Sequence, residues 1–72
     1  MFLEQTMLHI ARAVQQHRKA AKLSQRELAE LAGVGKTAVF DIEHGKSTTQ
    51  VDTLLKILRI LNIKLILKGP LL

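Results

Sequence analysis

The 72 residues are enough for one domain with a modest core, a size at which association between chains often completes the burial of apolar surface. Eleven Lys and Arg against six Asp and Glu give a net charge of +5, which favours DNA, RNA or an anionic membrane surface as partner, the alternative being a solvated basic surface. No cysteine is present, so disulfides and thiolate metal sites are excluded.

The first predicted element is a helix from about Met7 to near Lys22. Its apolar residues recur at helical spacing, at Leu8, Ile10, Ala11, Val14 and Ala21. Residues 1–6 show no such period and are expected to fray or to form a short arm. His17 lies on the apolar stripe, and its favoured interpretation is a partly buried, neutral structural histidine rather than a metal ligand or a catalytic base.

Residues 24–45, SQRELAELAGVGKTAVFDIEHG, predict two short helices joined by a tight turn. Ser24 and Glu27 are spaced as a capping box, in which each side chain accepts a hydrogen bond from the other residue's backbone N–H, so a helix starts there. Its inward stripe is predicted to contain Leu28, Leu31 and Ala32, while Ala29 offers a small surface on which another helix can lie closely. Gly33 then ends the helix in the left-handed conformation that other residues avoid.

The next helix is predicted to begin near Gly35, to run for about nine residues and to end at Gly45. Its apolar stripe packs back on the preceding helix and comprises Val34, Ala38, Val39 and Ile42. The opposite face carries Lys36, Thr37, Phe40, Asp41 and His44. Two helices joined by a turn with glycine at this place make a helix-turn-helix, whose second helix can enter the major groove of DNA.

A polar loop over residues 46–50 leads into a last helix. Thr49 and Asp52 predict a second, weaker capping box at its start, and Asn62 is its predicted stop. The inward residues of this helix are predicted to be Leu54, Leu55, Leu58 and Leu61.

Residues 54–67 carry more apolar surface than one small core can hide, since Ile57 and Ile60 add to the inward leucines. Charged residues interrupt the run before it reaches the roughly 20 apolar residues of a membrane span, so a subunit interface is favoured. Alternation over about residues 63–68 predicts a short β-strand that pairs with its two-fold mate. The residues of this interface are Ile63, Leu65, Ile66 and Leu67. The alternative is a continued helix that folds back on its own core.

The run LSQRELAELAGVGKTAVFDIEHGK resembles the helix-turn-helix of the phage Cro and repressor family. Its continuation through VDTLLKILRILNIKLIL is similar to antitoxins of the HipB type, small repressors that partner a HipA-type kinase toxin. The resemblance covers about residues 10–67 and implies an all-α, lambda-repressor-like fold of four to five helices. In that reading residues 1–72 form a single domain, and its C-terminal strands pair across a dimer. The resemblance also implies a buried ion pair at the positions of Arg18 and Glu43, the alternative being that both side chains are exposed.

The position of each residue in the helix-turn-helix assigns the predicted DNA contacts. Lys36 and Thr37, in the first exposed turn of the second helix, are predicted to contact bases. Phe40 is predicted to read a thymine methyl group, the alternative being packing at an interface. Both helix N-termini are expected to present N–H groups to phosphates. Gln25 matches the glutamine that anchors the DNA backbone in the resembled family. The residues predicted to contact phosphates are Gln25, Arg26, Gly35, His44, Lys46 and Ser47.

These features predict a sequence-specific repressor that binds a palindromic operator in double-stranded DNA as a homodimer. The resemblance further implies an antitoxin that binds a HipA-like kinase toxin and represses its own operon. The alternatives are a free-standing phage-type repressor and a module that chiefly neutralises a toxin by protein interaction. No catalytic constellation or metal-spaced ligand set is visible, so no enzymatic activity, metal or cofactor is expected. The N-terminus lacks a signal-peptide pattern, which makes the cytoplasm the expected location.

Overall fold

The computed structural model describes residues 2–66 and 69–70, with side chains from residue 6 onward. Within this part of the chain there are four α-helices, which are α1 (Phe2–Ala20), α2 (Gln25–Ala32), α3 (Lys36–Glu43) and α4 (Val51–Ile60). The all-α fold class predicted from the sequence is therefore confirmed for these residues. None of the helices found there is long and apolar enough to cross a membrane.

The hydrophobic core lies between the four helices, and α3 contacts each of the other three. Its buried side chains are Val14, Leu28, Ala29, Val39, Ile42, Leu54, Ile57, Leu58 and Leu61. Full burial of a Leu, Ile or Val side chain contributes about 1.5–3 kcal/mol relative to leaving it exposed. These contacts therefore fix the position of α3 from three sides.

Helix α1 is longer at its start than the sequence pattern predicts. It begins at Phe2 instead of near Met7, so the expectation of a frayed or arm-like segment was wrong for residues 2–6. It ends at Ala20, and Lys22 has a left-handed φ of 59°. A left-handed residue shortly after a helix ends reverses the direction of the chain, which here leads into α2.

The buried stripe of α1 contains Met7, Ala11 and Val14. It continues to Arg18, whose side chain is directed into the protein, and this places His17 at the edge of the stripe. The predicted burial of His17 was therefore wrong. The side chain is exposed, and its Nδ1 lies 2.7 Å from the Ala13 carbonyl oxygen. Two other residues predicted for the stripe are exposed as well, Leu8 and Ala21.

Helix α2 starts and ends as predicted. Ser24 Oγ accepts a hydrogen bond from the Glu27 N–H at 3.0 Å, and Glu27 Oε1 accepts one from the Ser24 N–H at 2.8 Å. Gly33 ends the helix with a φ of 71°. Leu31 was predicted to face inward, but it is 58% exposed. The reason is that buried Ala29, about 200° away around the helix, defines the inner side.

Helix α3 follows the tight turn and has the predicted boundaries to within one residue. Its N-cap is Gly35, its C-cap is His44, and Gly45 has a φ of 75°. A Cβ atom added to Gly45 would lie 3.3 Å from Leu8 Cδ2, so this turn also packs closely against α1. Substitution at Gly45 is therefore disfavoured by its backbone conformation, whereas the half-exposed Leu8 side chain can shift.

The start of α4 differs from the prediction by one residue. Gln50 is the N-cap, and no side chain caps the helix. The predicted capping box was wrong: Thr49 Oγ1 donates to the Lys46 carbonyl oxygen at 3.0 Å, and Asp52 Oδ1 accepts from the Thr53 N–H at 2.9 Å. Because Gln50 is the N-cap, Asp52 occupies the second helical position, and a capping box requires the third.

The inner side of α4 and the residue after it contain Leu54, Ile57, Leu58 and Leu61. The prediction that Leu55 faces inward was wrong, since its side chain is exposed. Ile57, which was assigned to the surplus apolar surface, is fully buried and completes the helical spacing of the stripe. Asn62 follows with a left-handed φ of 57°, which confirms it as the predicted stop.

Residues 63–66 form neither helix nor strand. The Ile63 N–H donates to the Leu58 carbonyl oxygen at 2.9 Å, and beyond this point the chain leaves the core. The alternative of a continued helix was therefore wrong for these residues. Two apolar side chains of the segment are exposed, those of Leu65 and Ile66. Two residues of the predicted strand lie outside the described part of the chain, Leu67 and Lys68.

Candidate nucleic-acid interface

Helix α3 presents a strip of exposed side chains opposite its buried side. This α3 strip consists of Lys36, Thr37, Phe40 and His44. Fully buried Val39 and Ile42 hold the other side of the helix against the core. An α-helix with its side chains is about 10–12 Å wide, and the major groove is about 12 Å wide. The strip can therefore enter the groove, and it contains the three residues predicted to contact bases.

The N-termini of α2 and α3 differ in what they offer to a phosphate. Gly35 makes no side-chain cap at α3, and residues 35–37 are exposed, so the positive end of this helix faces solvent. At α2 the N–H groups of Ser24 and Glu27 are both used by the capping box. The expectation that both N-termini present N–H groups to phosphates therefore fits α3 better than α2.

Glu27 also places negative charge at the start of α2. Two hydrogen bonds with Ser24 hold the pKa of Glu27 below its ordinary value of 4.5. The larger effect comes from the Ser24 backbone N–H and the smaller from the Ser24 side chain. The carboxylate is therefore ionised at neutral pH. It stabilises the helix dipole and opposes an approaching phosphate at this end.

Phe40 and His44 are stacked on each other within the α3 strip. Their ring centroids are 3.9 Å apart, and the two ring planes make an angle of 25°. His44 Nδ1 lies 2.7 Å from the Phe40 carbonyl oxygen, close enough for an Nδ1–H to donate to it. From the sequence, Phe40 is predicted to contact a base and His44 a phosphate, with no contact between the two. Their spacing of four on one helix was the signal that could have joined them.

The loop after α3 holds further residues that were predicted to contact phosphates. Lys46 Nζ lies 3.3 Å from Asp41 Oδ2, and its side chain is 54% exposed. This surface pair offsets the negative charge of Asp41, which would otherwise repel phosphate beside the strip. Ser47 and Arg26 are exposed. The loop therefore keeps Lys46 within reach of solvent while neutralising its acidic neighbour.

Arg18 and Glu43 form a largely buried ion pair between α1 and the end of α3. Arg18 Nε lies 2.5 Å from Glu43 Oε2, and Arg18 Nη2 donates to Glu43 Oε1 at 3.0 Å. Arg18 Nη1 donates to the Leu23 carbonyl oxygen at 2.9 Å. The two side chains are 11% and 0% exposed. The hydrogen bond to Glu43 raises the pKa of Arg18 above its already high ordinary value, against the opposing effect of burial.

Gln25 joins this pair, a contact that the sequence did not predict. Its Nε2 donates to Glu43 Oε1 at 3.3 Å, and its side chain is half-buried. The residue that matches a DNA-backbone anchor in the resembled family is therefore oriented by the buried carboxylate of α3. Gln25 and Glu43 are 18 positions apart, so no local pattern in the sequence points to this contact.

The residues predicted for a subunit interface lie apart from the α3 strip. Ile63 and Leu65 line an open groove of about 380 Å³ beside the end of α4, and no member of the strip lines it. Ile66 is 70% exposed. Leu67 was also predicted for the interface and lies outside the described residues. In the part of the chain that the structure describes, no three His, Asp or Glu side chains come together as metal ligands.

Comparison with known proteins extends these observations. The sequence matches the family described as Helix-turn-helix over residues 14–67, which includes the whole of α2, α3 and α4. A relative from Sinorhizobium fredii (strain NBRC 101917 / NGR234) is named "Uncharacterized HTH-type transcriptional regulator y4mF". It is 40% identical to this chain over 53 residues, which cover 74% of the chain and 70% of the relative.

Proposed function

The chain belongs to the helix-turn-helix family of the Cro and repressor (XRE) type, and on this premise we propose that it is a sequence-specific repressor that binds a palindromic operator as a homodimer. Membership of that family makes it a DNA-binding transcriptional regulator. The observation that carries the finer proposal is the α3 strip. It is an exposed helix face that begins at an N-terminus without a side-chain cap, and the opposite side of the helix is packed in the core.

In this proposal the α3 strip reads bases while its surroundings fix the register. Lys36 donates to the O6 and N7 atoms of guanine, and Thr37 contacts a polar base edge or a thymine methyl group. The open N-terminus at Gly35 receives a phosphate. Further phosphate contacts come from Gln25, Arg26, His44, Lys46 and Ser47.

The homodimer is supported by apolar surface that one chain leaves uncovered. Leu65 and Ile66 are exposed beside the groove at the end of α4. Pairing of residues 63–68 with the same segment of a second chain would satisfy their backbone N–H and C=O groups and cover these side chains. A two-fold dimer of this kind requires a palindromic operator with half-sites about 34–36 Å apart, or a multiple of that spacing. In this arrangement residues 1–72 form one DNA-binding domain with its own dimerisation strand.

A protein partner in addition to DNA is favoured by a second apolar surface. Leu31 is 58% exposed and lines a groove with Leu23 that Glu27 and Glu30 flank. No residue of the α3 strip lines this groove, so the proposed base contacts leave it uncovered. Together with the HipB resemblance, this surface supports the role of an antitoxin that holds a HipA-like kinase toxin and represses its own operon. The chain itself is proposed to be neither an enzyme nor a cofactor-binding protein.

The experiment that tests the repressor is a salt-titrated binding assay on DNA from upstream of the protein's own gene. Lys36→Ala should weaken sequence-specific binding by about 1–3 kcal/mol, the value of one good base contact. The matched control is Lys56→Ala, because Lys56 is exposed on the outer side of α4, about 200° from buried Leu54. Neutralising about six phosphates per dimer should give a log–log salt slope near −5.

The outcomes separate the repressor from the alternatives. The repressor is supported if a dimer binds the DNA tightly and if Lys36→Ala weakens this binding while Lys56→Ala does not. Weak binding that ignores both sequence and mutation contradicts it and moves the function to protein interaction. If binding is specific, co-purification of the protein with the product of the neighbouring gene distinguishes an antitoxin from a free-standing phage-type repressor.

A further inference from the structure

Phe40 occupies the middle of the α3 strip, between Lys36 and His44. It is 47% exposed, although a phenyl ring gains nothing from water. His44 stacks on its ring at a centroid distance of 3.9 Å, a contact that favours this ring orientation. His44 Nδ1 lies 2.7 Å from the Phe40 carbonyl oxygen, where an Nδ1–H donates to it and orients the imidazole ring. The two residues therefore form one continuous aromatic surface at the centre of the strip.

We infer that this Phe40–His44 stack is the specificity-determining element that reads the C5-methyl group of a pyrimidine in the major groove. The inference rests on the proposed sequence-specific DNA binding. A phenyl ring makes no conventional hydrogen bond, so it cannot distinguish the polar edges of guanine, adenine or cytosine. The thymine methyl is the apolar group that base pairs display in the major groove. An aromatic surface at this position therefore selects thymine in unmodified DNA, and equally 5-methylcytosine.

The position of the stack places this contact next to those of Lys36 and Thr37. Phe40 follows these residues by four and three positions, which is about 4.5–6 Å along the helix axis. Base pairs are stacked about 3.4 Å apart, so where α3 runs along the groove Phe40 meets a base pair one or two steps from theirs. The strip then combines hydrogen-bonding contacts at one position with an apolar contact at the next.

His44 acts as a positioning residue for Phe40. Stacking before DNA arrives restricts the phenyl ring in the free protein, so less conformational freedom is lost on binding. His17 provides a matched comparison within the same chain. It is also exposed, and its Nδ1 also lies 2.7 Å from the carbonyl oxygen four residues earlier, at Ala13. Only His44 of the two stacks on an aromatic ring among the described residues.

The test uses the full chain and the duplex that it selects most tightly from a random-sequence library. Each thymine of the half-site is replaced in turn by deoxyuridine, which removes the methyl group and leaves the base-pairing edge unchanged. At one thymine per half-site, affinity for the wild-type protein should fall about fourfold, the value of one buried methyl group. At that position 5-methylcytosine should bind better than cytosine by a similar factor.

The protein variants identify which side chains read the methyl group. Phe40→Ala should bind the thymine and deoxyuridine duplexes equally, at an unchanged melting temperature, because Phe40 is not part of the core. His44→Ala should reduce the ratio of the two affinities without abolishing binding. His17→Ala should leave the ratio as in the wild-type protein.

The results that overturn the inference differ from those that overturn the proposed function. Equal affinity for thymine and deoxyuridine at every position, or a loss that persists in Phe40→Ala, overturns the methyl contact while Lys36-dependent binding stands. An unchanged ratio in His44→Ala overturns the positioning role of that residue. Failure to select any sequence from the library removes the proposed function, and the inference with it.

Discussion

The helix-turn-helix and the segment after α4 differ in how far a single chain completes them. For the helix-turn-helix, one chain supplies everything that its structure needs. Both partners of the capping box, the left-handed Gly33 that ends α2 and both members of the Arg18–Glu43 pair belong to that chain. In residues 63–66, Leu65 and Ile66 are exposed and no regular structure forms. The helix-turn-helix is therefore preorganised, whereas the C-terminal segment leaves apolar side chains exposed, as the proposed dimer interface requires.

The largest expected effect comes from removing one member of the ion pair that stabilises the helix-turn-helix. Glu43→Ala should lower the free energy of unfolding by about 3–5 kcal/mol, because it leaves the mostly buried charge of Arg18 without its partner. Denaturant unfolding followed by circular dichroism, at one fixed protein concentration, measures this loss.

The control is Asp41→Ala on the same helix, which removes the surface pair with Lys46 and should cost less than about 1 kcal/mol. A loss below about 1 kcal/mol in Glu43→Ala as well would show that the buried pair does not stabilise the fold.

The next largest effect concerns the C-terminal segment. Ile66→Lys should raise the dimer dissociation constant by about tenfold or more, since covering an isoleucine is worth about 1.5–3 kcal/mol. Sedimentation equilibrium measures this change. Leu31→Lys alters another exposed apolar residue, on α2, and should leave the dimer intact. A monomeric wild-type protein, or the same dissociation constant in both variants, would contradict the proposed interface.

A smaller effect tests where the helices are capped. Ser24→Ala should cost about 1 kcal/mol of stability, because the first turn of α2 loses its side-chain acceptor. Thr49→Ala should cost less, since the Thr49 hydroxyl caps no helix and donates only to the Lys46 carbonyl. Thermal melts of both variants measure the difference. An equal loss would mean that the start of α4 depends on Thr49 after all.

The smallest effect is a pH dependence. The pKa of Glu27 is lower in the folded chain than its ordinary value of 4.5, so the unfolded state binds its proton first as the pH falls. The stability that this carboxylate contributes is therefore fully present above about pH 5 and is lost as the pH falls through its folded pKa. Glu27→Gln should lose less of its melting temperature between pH 6 and pH 3 than the wild-type protein. Parallel curves would contradict this contribution.

Local backbone chemistry explains which parts of the fold were predictable. Gly33, Gly45 and Asn62 adopt left-handed conformations, and the sequence places each of them where a helix has to stop. The faces of the helices were harder to assign, because a neighbouring helix decides which side is buried. Leu31 and Leu55 fit the apolar period of their own helices, yet the other helices pack against Ala29 and Ile57. A single shifted position also removed the predicted cap of α4.

The candidate site also contains a part that the sequence predicts and a part that it does not. Lys36, Thr37 and Phe40 could be placed on one face, because their spacing alone determines it. The contact of Gln25 with Glu43 depends on how α2 and α3 pack, which no spacing within either helix encodes. The pairing of residues 63–68 stays a prediction, since it requires a second chain.

The carboxylate of Glu43 has a genetic consequence. It is shielded from solvent, and it holds both Arg18 and Gln25. A random mutagenesis screen for loss of the proposed repression should therefore return substitutions at Glu43 alongside those on the α3 strip. Such alleles would resemble DNA-contact mutants in a reporter assay. A lower level of protein in the cell would distinguish them from alleles at Lys36.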